Sequence, residues 1–555
     1  MGKYALDMER YVALARQTAA EGCVLLKNDN QTLPLRTGDR VAVFGRIAST
    51  YYKSGLGSGG LVNTRYVVGI LDALKEEKDI TIDEKLLKVY EDWMKEHPYD
   101  VGEGWGRVPW SQEEMPLEDS VVADAAANND IAIVVVGRTA GEDQDNTPDP
   151  GSYLLTDTER DMIAKVSNKF ARTAVLLNVG NIIDMKWVKE CNPSAVMYVW
   201  QGGQEGGHGV CDALTGRVNP CGKLTDTIAY DIKDYPSTEN FGDERKNYYK
   251  EDIYVGYRYF ESFAKDKVLY PFGFGLSYTA FEIASAITDV TENAITVEAV
   301  VKNTGDTAGK EVVEIYVEAP QGMLGKPSRV LAGFAKTQVI APGEEEKVTI
   351  VIPKKAYASY DDSGVTGHKD SFLLEAGSYK IYAGADVRSA ALAGSYEQEL
   401  QVIEQLEEAC APSEQFERMT RDADGTLVYK KIPAREFGPY DRIEKPEEIA
   451  YTGDKGYKLA DVYNKKITMD EFIAQLSDEQ LIMLFHAEGM CSPKVTAGTA
   501  CAFGGLTEEL RALGIPATCT TDGPSGLRMD CGTKAFSLPN GTLIGCTFDL
   551  ELAQK

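Results

Sequence analysis

The sequence predicts a multidomain protein: an α/β domain with a largely parallel sheet, then a β-sandwich, then the start of a further domain that mixes helices and strands. Three observations lead to this fold class. Apolar runs alternate with helical stretches up to about residue 230, two-residue alternation follows from residue 283, and helical periodicity returns at Met469. A chain of 555 residues is long enough to bury several cores.

The α/β domain is assigned to residues 1–282 because of four apolar runs, each of which ends in glycine. The runs are RVAVFG (40–45), IAIVVVG (131–137), TAVLLNVG (173–180) and SAVMYVWQGG (194–203). Continuous apolar runs that are rich in β-branched residues and closed by glycine are typical of strands buried on both faces of a parallel sheet.

The β-sandwich is assigned to residues 283–403, where apolar and polar residues alternate and NTGD and APGEEE supply turns. The acidic, polar segment 404–466 is predicted to be a linker. The third domain, 467–555, opens with the helical pattern MDEFIAQLSDEQLIMLFHAEGM and continues to a short strand, IPATCT.

Composition excludes several classes of function. A formal net charge of −28 repels nucleic acid, and no run of eighteen apolar residues predicts a membrane span. The N-terminus lacks the apolar core and cleavage site of a signal peptide, so we expect a cytoplasmic protein. The ten cysteines are scattered without a C-x-x-C pair and there are four histidines, so we expect neither a metal site nor a cofactor.

The loop SGLGSGG contains the G-x-G-x-x-G pattern of dinucleotide-binding proteins at Gly55, Gly57 and Gly60. In such proteins the first glycine directly follows a strand and the third opens a helix. Here the preceding strand ends near Gly45, and no Lys-Ser/Thr follows the glycines as in a phosphate-binding loop. A nucleotide-binding oxidoreductase is therefore disfavoured. The glycines serve either a simple turn or a close approach of backbone to a ligand.

An acidic segment follows the second apolar run, where open α/β sheets place their ligand sites. Glu142, Asp143, Asp145 and Asp149 fall within eight residues. Crowded carboxylates in a partly buried cleft raise at least one pKa, which suits a general acid. A solvated acidic loop or a cation site remains the alternative.

Two further groups of residues can carry chemistry. Asp522 follows the short strand and Arg528 lies six residues on, an arrangement that can hold two neighbouring hydroxyl groups; a helix cap or a structural ion pair is the alternative. Glu205 and His208, in WQGGQEGGHGV, are interpreted mainly as part of a glycine-packed turn. The loop EHPYDVGEGWGRVPWSQEEMP, which carries Trp105 and Trp110, is suited either to stacking on a sugar ring or to packing onto its own domain.

Together these segments resemble glycoside hydrolase family 3. EGCVLLKNDNQTLPL, SGLGSGG, GEDQDN, WQGGQEGG, NPCGKL and EDIYVGYRYFESF resemble its C-terminal α/β-sandwich domain, and KNTGDTAGKEVVEIYV resembles its fibronectin type III domain. MDEFIAQLSDEQLIMLFHAEGM and TDGPSGLR resemble the start of its N-terminal (β/α)₈ barrel. The barrel segment comes last here, as in the domain-permuted β-glucosidases of anaerobic bacteria.

The resemblance implies retaining hydrolysis of β-glucosides or related β-glycosides without metal or cofactor. By the same resemblance, Glu142 is the general acid/base, Asp522 and Arg528 hold hydroxyls of the glycone sugar, and Ser58 reaches the same ring.

One departure from the family pattern concerns the nucleophile, an aspartate in a Ser-Asp-Trp-like motif that this sequence does not contain. A (β/α)₈ barrel also takes about 250 residues, so 467–555 is too short to close one. We therefore expect a second polypeptide or a missing C-terminal segment to complete the barrel, and a homo-oligomer is compatible with these patterns. The alternative function is that of a non-catalytic carbohydrate-binding fragment.

Overall fold

The computed structural model describes residues 7–142, 145–436, 438 and 447–555. The chain forms two compact units. The larger unit comprises Met1–Ser54, Val67–Glu436 and Pro539–Lys555, and the smaller unit comprises Gly55–Tyr66 and Phe437–Leu538. Within the described residues, no helix combines the length and the apolar character that crossing a membrane requires.

The larger unit begins with a six-stranded sheet in the order β1-β6-β5-β4-β2-β3. Its strands are β1 Val24–Asn28, β2 Arg40–Phe44, β3 Thr81–Ile82, β4 Ile131–Gly137, β5 Thr173–Asn178 and β6 Ala195–Tyr198. All neighbours pair in parallel except β1, which is antiparallel to β6. The predicted, largely parallel sheet is therefore confirmed.

Helices cover both faces of this sheet, and alternate residues of β4 belong to two separate hydrophobic cores. Val134 and Val136 lie in one core, and Ile133 and Val135 lie in the other. The helices are α1 Met8–Glu21, α2 Ile70–Glu76, α3 Glu84–Glu96, α4 Asp119–Asn128, α5 Asp157–Lys169, α6 Trp187–Cys191, α7 Gly206–Thr215 and α8 Tyr257–Phe263. A small pair of strands closes the domain, β7 Ile228–Ala229 and β8 Val268–Tyr270. Burial on both faces explains why the central strands are continuously apolar.

A β-sandwich follows, as predicted. Its strands are β9 Phe281–Val290, β10 Ala294–Asn303, β11 Val312–Glu318, β12 Val330–Lys336, β13 Glu345–Pro353, β14 Ser359–Asp361, β15 Ser371–Leu374, β16 Gly377–Gly384, β17 Ala391–Gln398 and β18 Gln401–Gln405. They form the sheets β13-β10-β9, β12-β11-β16-β17 and β14-β15-β18. In β10 every second residue is buried, which is the alternation that predicted the sandwich.

The predicted linker 404–466 contains a β-hairpin in the structure. Its strands, β19 Glu417–Arg421 and β20 Leu427–Lys431, pair in antiparallel register around a turn in which Gly425 has φ +90°. The hairpin is tied to the rest of the larger unit, because the Met419 amide donates to the Lys250 carbonyl at 2.6 Å.

The smaller unit contains short helices and one three-stranded sheet. Its elements are α9 Leu459–Tyr463, α10 Met469–Ala474, α11 Asp478–Phe485, β21 Glu488–Gly489, β22 Cys501–Gly504, α12 Glu508–Ala512 and β23 Ala517–Thr520. The strands pair antiparallel, whereas strands of a (β/α)₈ barrel are parallel. The last helices, α13 Gly541–Cys546 and α14 Leu550–Gln554, belong to the larger unit, although the sequence pattern grouped them with the third domain.

Candidate active site

The glycine loop that carries Ser58 is a compact turn in the smaller unit. The amides of Gly60 and Leu61 both donate to the Gly57 carbonyl, at 3.2 and 3.1 Å. A side chain at Gly60 would lie 1.8 Å from the Gly55 carbonyl oxygen, so this position requires glycine. No helix opens at Gly60, because α2 begins at Ile70, and the loop therefore lacks the helix N-terminus that a dinucleotide site uses.

The second predicted group, Asp522 and Arg528, lies on a tight loop that follows β23. The Arg528 amide donates to the Asp522 carbonyl at 3.0 Å, which closes the loop. The Arg528 guanidinium makes two bonds to Asp530, at 3.0 and 2.9 Å, and lies 3.7 Å from the Asp522 carboxylate. The Arg528 side chain is 10% exposed and that of Asp522 is 36% exposed, so the arginine is fixed while the Asp522 carboxylate faces solvent.

The structure brings these two loops together within the smaller unit. The Ser525 amide donates to the Gly59 carbonyl at 3.2 Å, and Pro524 lies 3.5 Å from where a Gly59 side chain would begin. A second junction forms where Lys534 Nζ donates to Asn63 Oδ1 at 2.6 Å. Ser58 therefore lies on a loop that touches the loop of Asp522 and Arg528.

Glu142 lies in the larger unit, in the loop that follows β4, and is exposed. The neighbouring acidic residues Asp145 and Asp149 are exposed as well, and Asp143 lies outside the described residues. The side chain of Glu142 is therefore accessible to solvent.

Arg138 anchors the loop that carries Glu142. Its guanidinium donates to the Ser152 and Leu154 carbonyls, both at 3.0 Å, and makes two bonds to Glu159, at 2.6 and 2.7 Å. The arginine side chain is fully buried and that of Glu159 is 5% exposed. The start and the end of the loop are therefore tied to one buried ion pair, which sequence reasoning did not identify.

Two other side chains at this edge of the sheet were missed by sequence reasoning. Asn178, at the end of β5, is fully buried. Its side-chain amide accepts a hydrogen bond from the Tyr52 N–H and donates to the carbonyls of Tyr52 and, at 2.6 Å, of Trp200. Lys53 immediately precedes Ser54 and the glycine loop, and burial lowers its pKa to about 8. The sequence signal that could have identified Asn178 is its position as a polar residue at the end of an apolar strand. No feature of the sequence distinguishes Lys53.

The turn that carries Glu205 and His208 is tightly packed, in agreement with its interpretation. A side chain at Gly207 would lie 2.0 Å from the Gly69 carbonyl oxygen. The Glu205 carboxylate, 2.7 Å from His208 Nδ1, raises the pKa of that histidine against the effect of burial, and Glu76 lies 2.9 Å from Nε2. Within the parts of the chain that the structure describes, no group of three or more acidic, histidine or cysteine side chains is arranged to hold a metal.

Comparison with known proteins identifies the family. Residues 23–278 match the glycosyl hydrolase family 3 C-terminal domain, and residues 311–387 match a fibronectin type III-like domain. The "Beta-glucosidase A" of Butyrivibrio fibrisolvens is 36% identical over 632 residues, which cover 100% of this chain and 73% of that protein. The chain belongs to glycoside hydrolase family 3.

This chain spans only part of the length of other relatives. A β-glucosidase of Ruminococcus albus is 55% identical over 99% of this chain, which spans 58% of that protein. A β-glucosidase structure from Paenibacillus barengoltzii superposes with a TM-score of 0.95 at 49% identity, covering 100% of this chain and 62% of its own. A β-glucosidase from Thermotoga neapolitana, solved with glucose, gives a TM-score of 0.65 at 36% identity over 71% of this chain and 55% of its own.

Proposed function

We propose that this family 3 chain acts in the retaining hydrolysis of β-glucosides or related β-glycosides, supplying the acid/base and part of the glycone site. The observation that carries the proposal is the contact between the Ser58 loop and the loop of Asp522 and Arg528, which are far apart in sequence. The β-glucosidase names of the relatives with high identity support the same substrate class.

Glu142 is the general acid/base in this proposal. A retaining glycosidase uses two carboxyl groups about 5–5.5 Å apart, of which one forms the glycosyl–enzyme bond and the other first protonates the leaving oxygen and later deprotonates water. An exposed carboxyl on a loop held at both ends by Arg138 can reach a glycosidic oxygen without the loop having to order first.

Asp522 and Ser58 bind the sugar. A carboxylate accepts hydrogen bonds from two neighbouring hydroxyl groups, and these charge-assisted bonds are stronger than neutral ones. Arg528, 3.7 Å from Asp522 and held by Asp530, helps to hold this carboxylate in place. The Gly59 and Gly60 backbone beside Ser58 carries no side chain, so a pyranose ring can lie close to it.

The nucleophile is proposed to come from polypeptide outside this sequence, either a C-terminal continuation or a second chain that completes a (β/α)₈ barrel placed last. The greater length of the relatives supports this, since this chain spans 58% of the Ruminococcus albus enzyme. Exposed apolar side chains of the smaller unit, Ile482 at 64% and Phe485 at 87%, supply surface that the rest of a barrel would cover.

The first test measures hydrolysis of an aryl β-glucoside by the chain alone and after addition of the remaining barrel segment from a longer relative. We expect turnover only in the complemented enzyme. Full activity of the chain alone would overturn the claim that the nucleophile lies elsewhere.

The second test is Glu142→Gln in the complemented enzyme. General acid catalysis contributes about 10²–10⁴ in rate, and the loss should be largest for glucosides with poor leaving groups. Glu190→Gln is the matched control, because Glu190 makes an exposed ion pair on α6. Equal rates for Glu142→Gln and the control on poor leaving groups would refute the assignment.

The sugar contacts are tested with Asp522→Ala, which should raise KM or abolish turnover.

The alternative function, a non-catalytic carbohydrate-binding fragment, is favoured by the missing nucleophile motif. Calorimetric titration with glucose and gluconolactone, followed by an activity assay after complementation, separates the two functions. A carbohydrate-binding fragment binds sugar but stays inactive after complementation, whereas an enzyme component gains turnover.

A further inference from the structure

A cavity of about 520 Å³ lies in the larger unit, apart from every residue assigned a role above. Small-molecule sites commonly measure roughly 300–1,000 Å³. Three parts of the chain enclose it: the turn before α8, the β-sandwich and the hairpin β19–β20. The hairpin is the segment that the sequence predicted to be a linker.

Arg418 holds the hairpin over the cavity. From β19 its guanidinium makes two bonds to Asp362, at 2.5 and 2.9 Å, and lies 3.4 Å from Asp252. These bonds tie the hairpin to the sandwich and to the turn before α8, and they neutralise the charge of Arg418. The wall is therefore built by ordered, charge-assisted contacts rather than by a loosely placed loop.

The lining of the cavity is basic in a chain whose formal net charge is −28. Two acidic residues face six basic ones: Asp252 and Asp362 against Arg258, Lys326, Arg418, Arg421, Lys430 and Lys431. Such a local reversal of charge attracts anions, because low-dielectric walls concentrate the field inside a cleft.

Two of the arginines carry charge that no carboxylate offsets within the described residues. Arg421 donates to Ser328 Oγ at 3.1 Å and to the Gly425 carbonyl at 3.4 Å, which are both neutral. Neither Arg421 nor Arg258 forms an ion pair with any residue that the structure describes. Lys326 differs, because Glu375 neutralises it. The charge that no described carboxylate offsets thus includes two guanidinium groups, besides Lys431, and guanidinium groups suit carboxylate or phosphate.

A neutral hydroxyl also lines the cavity. Tyr254 is 1% exposed. Burial raises the pKa of Tyr254 to about 12, although interactions with Thr420 and Arg421 act against that rise, so the hydroxyl is protonated at neutral pH.

The remaining wall is aromatic and apolar. Tyr360 and Phe372 form a tilted ring pair at 5.1 Å, and Tyr357 is 5% exposed beside them. Flat faces of this kind pack against the carbon skeleton of a sugar or another ring.

We propose that this cavity binds a small organic anion, with the carboxylate or phosphate on Arg258 and Arg421 and the ring of the ligand against Tyr357 and Phe372. An acidic sugar, either a uronate or a hexose phosphate, has this chemistry. The site is separate from the proposed glycone residues and would serve a second ligand.

The test is calorimetric titration of the full chain with glucuronate, glucose 6-phosphate and neutral glucose. One of the two anions should bind at the cavity, and the one that binds identifies the acidic group. Arg421→Gln and Arg258→Gln should each weaken its binding about tenfold or more, as expected for loss of a charge-assisted bond. Lys347→Gln is the matched control, since Lys347 pairs with Glu298 on the exposed face of the sandwich.

Thermal melts of both arginine variants verify that they fold, and Arg421→Lys, which keeps the charge, should bind more tightly than Arg421→Gln. Failure of both anions to bind at 10 mM or below, or equal binding in the arginine and Lys347 variants, would overturn the proposal. Competition by glucose would also overturn it, because the signal would then arise from the glycone site. Loss of glycosidase activity in any variant bears on the proposed function and not on this cavity.

Discussion

The buried ion pair between Arg138 and Glu159 offers the sharpest test of how the larger unit holds the loop of Glu142. The perturbation is Glu159→Gln, which keeps the shape of the side chain. The carbonyl of the new amide can still accept the Thr156 amide hydrogen that now bonds to Glu159 at 2.8 Å. The change therefore preserves the cap of α5, removes the negative charge opposite the guanidinium and replaces the oxygen that accepts from Arg138 Nη1 with an NH2 donor.

The magnitude follows from burial. Removing one partner of a buried pair costs about 3–5 kcal/mol, because the other charge is left without compensation. Arg138 keeps its bonds to three backbone carbonyls, of Gly137, Ser152 and Leu154, which places the expected loss in the free energy of unfolding near the lower end, about 3 kcal/mol. With a urea m-value of about 1–3 kcal/mol/M, the unfolding midpoint falls by at least about 1 M.

Tryptophan fluorescence measures this domain selectively, since all five tryptophans lie between residues 93 and 200. Glu190→Gln is the control with the same chemical change. Its partner Arg160 lies at 2.7 Å, but the two side chains are 51% and 42% exposed, so the expected loss is below about 1 kcal/mol. Equal midpoints for Glu159→Gln and Glu190→Gln would refute the reasoning from burial.

Two other predictions concern pH dependence and the glycine loop. Burial would raise the pKa of Glu21, but two lysines hold it at about 2, below its ordinary 4.5, so its stabilisation is present above pH 4.5 and is lost toward pH 2. Scanning calorimetry should show a steeper loss of stability from pH 5 to 3 in the wild type than in Glu21→Gln; parallel slopes would contradict this. Gly60→Ala places a methyl group 1.8 Å from a backbone oxygen and should weaken glucose binding, whereas Gly541→Ala, with open space around it, should not. Equal glucose affinities by calorimetry would exclude a role for the loop shape.

The central sheet was predictable because its strands are buried on both faces. The runs at 40–45 and 131–137 correspond to β2 Arg40–Phe44 and β4 Ile131–Gly137 almost residue for residue. A strand covered by helices on both sides has no polar positions to interrupt it, so its limits are visible in composition alone. The alternating pattern of the sandwich strands is equally direct, since one face of each is buried.

The hairpin β19–β20 was not predicted, because its strands bury little. Most residues of ERMTR and LVYKK are half-buried or exposed, so they show neither a continuous apolar run nor a clean alternation. The turn signal DADG at 422–425 was present, and Gly425 indeed takes a positive φ. Charge pairs such as Arg418 with Asp362 hold this element in place, and pairing between distant charges leaves no periodic trace in sequence.

The candidate site was likewise predictable from the sequence only in part. The types of residue at Ser58, Asp522 and Arg528 were readable from local motifs. Their meeting depends on the bond from the Ser525 amide to the Gly59 carbonyl, which joins backbone groups 466 positions apart and so carries no information about side-chain identity. Sequence reasoning identified these residues by resemblance, and the structure supplies the contact between their loops.

The path of the chain shows a structural role for the motif WQGGQEGG. The chain leaves the larger unit after Ser54, returns at Val67, and returns again at Pro539. Next to these three crossings, Gly203 N–H donates to the Lys53 carbonyl at 2.8 Å, Val68 N–H to the Gln204 carbonyl at 2.9 Å, and Asn540 N–H to the Gln201 carbonyl at 2.9 Å.

A single four-residue strip, 201–204, therefore anchors three crossings, and it can do so because its glycines leave the backbone accessible from several sides. The strip follows β6, and the loop of Glu142 follows β4, two strands away in the same parallel sheet. The carboxyl ends of parallel strands lie along one edge. The sheet edge that carries the proposed acid/base thus also anchors the larger unit's own chain beside these three crossings.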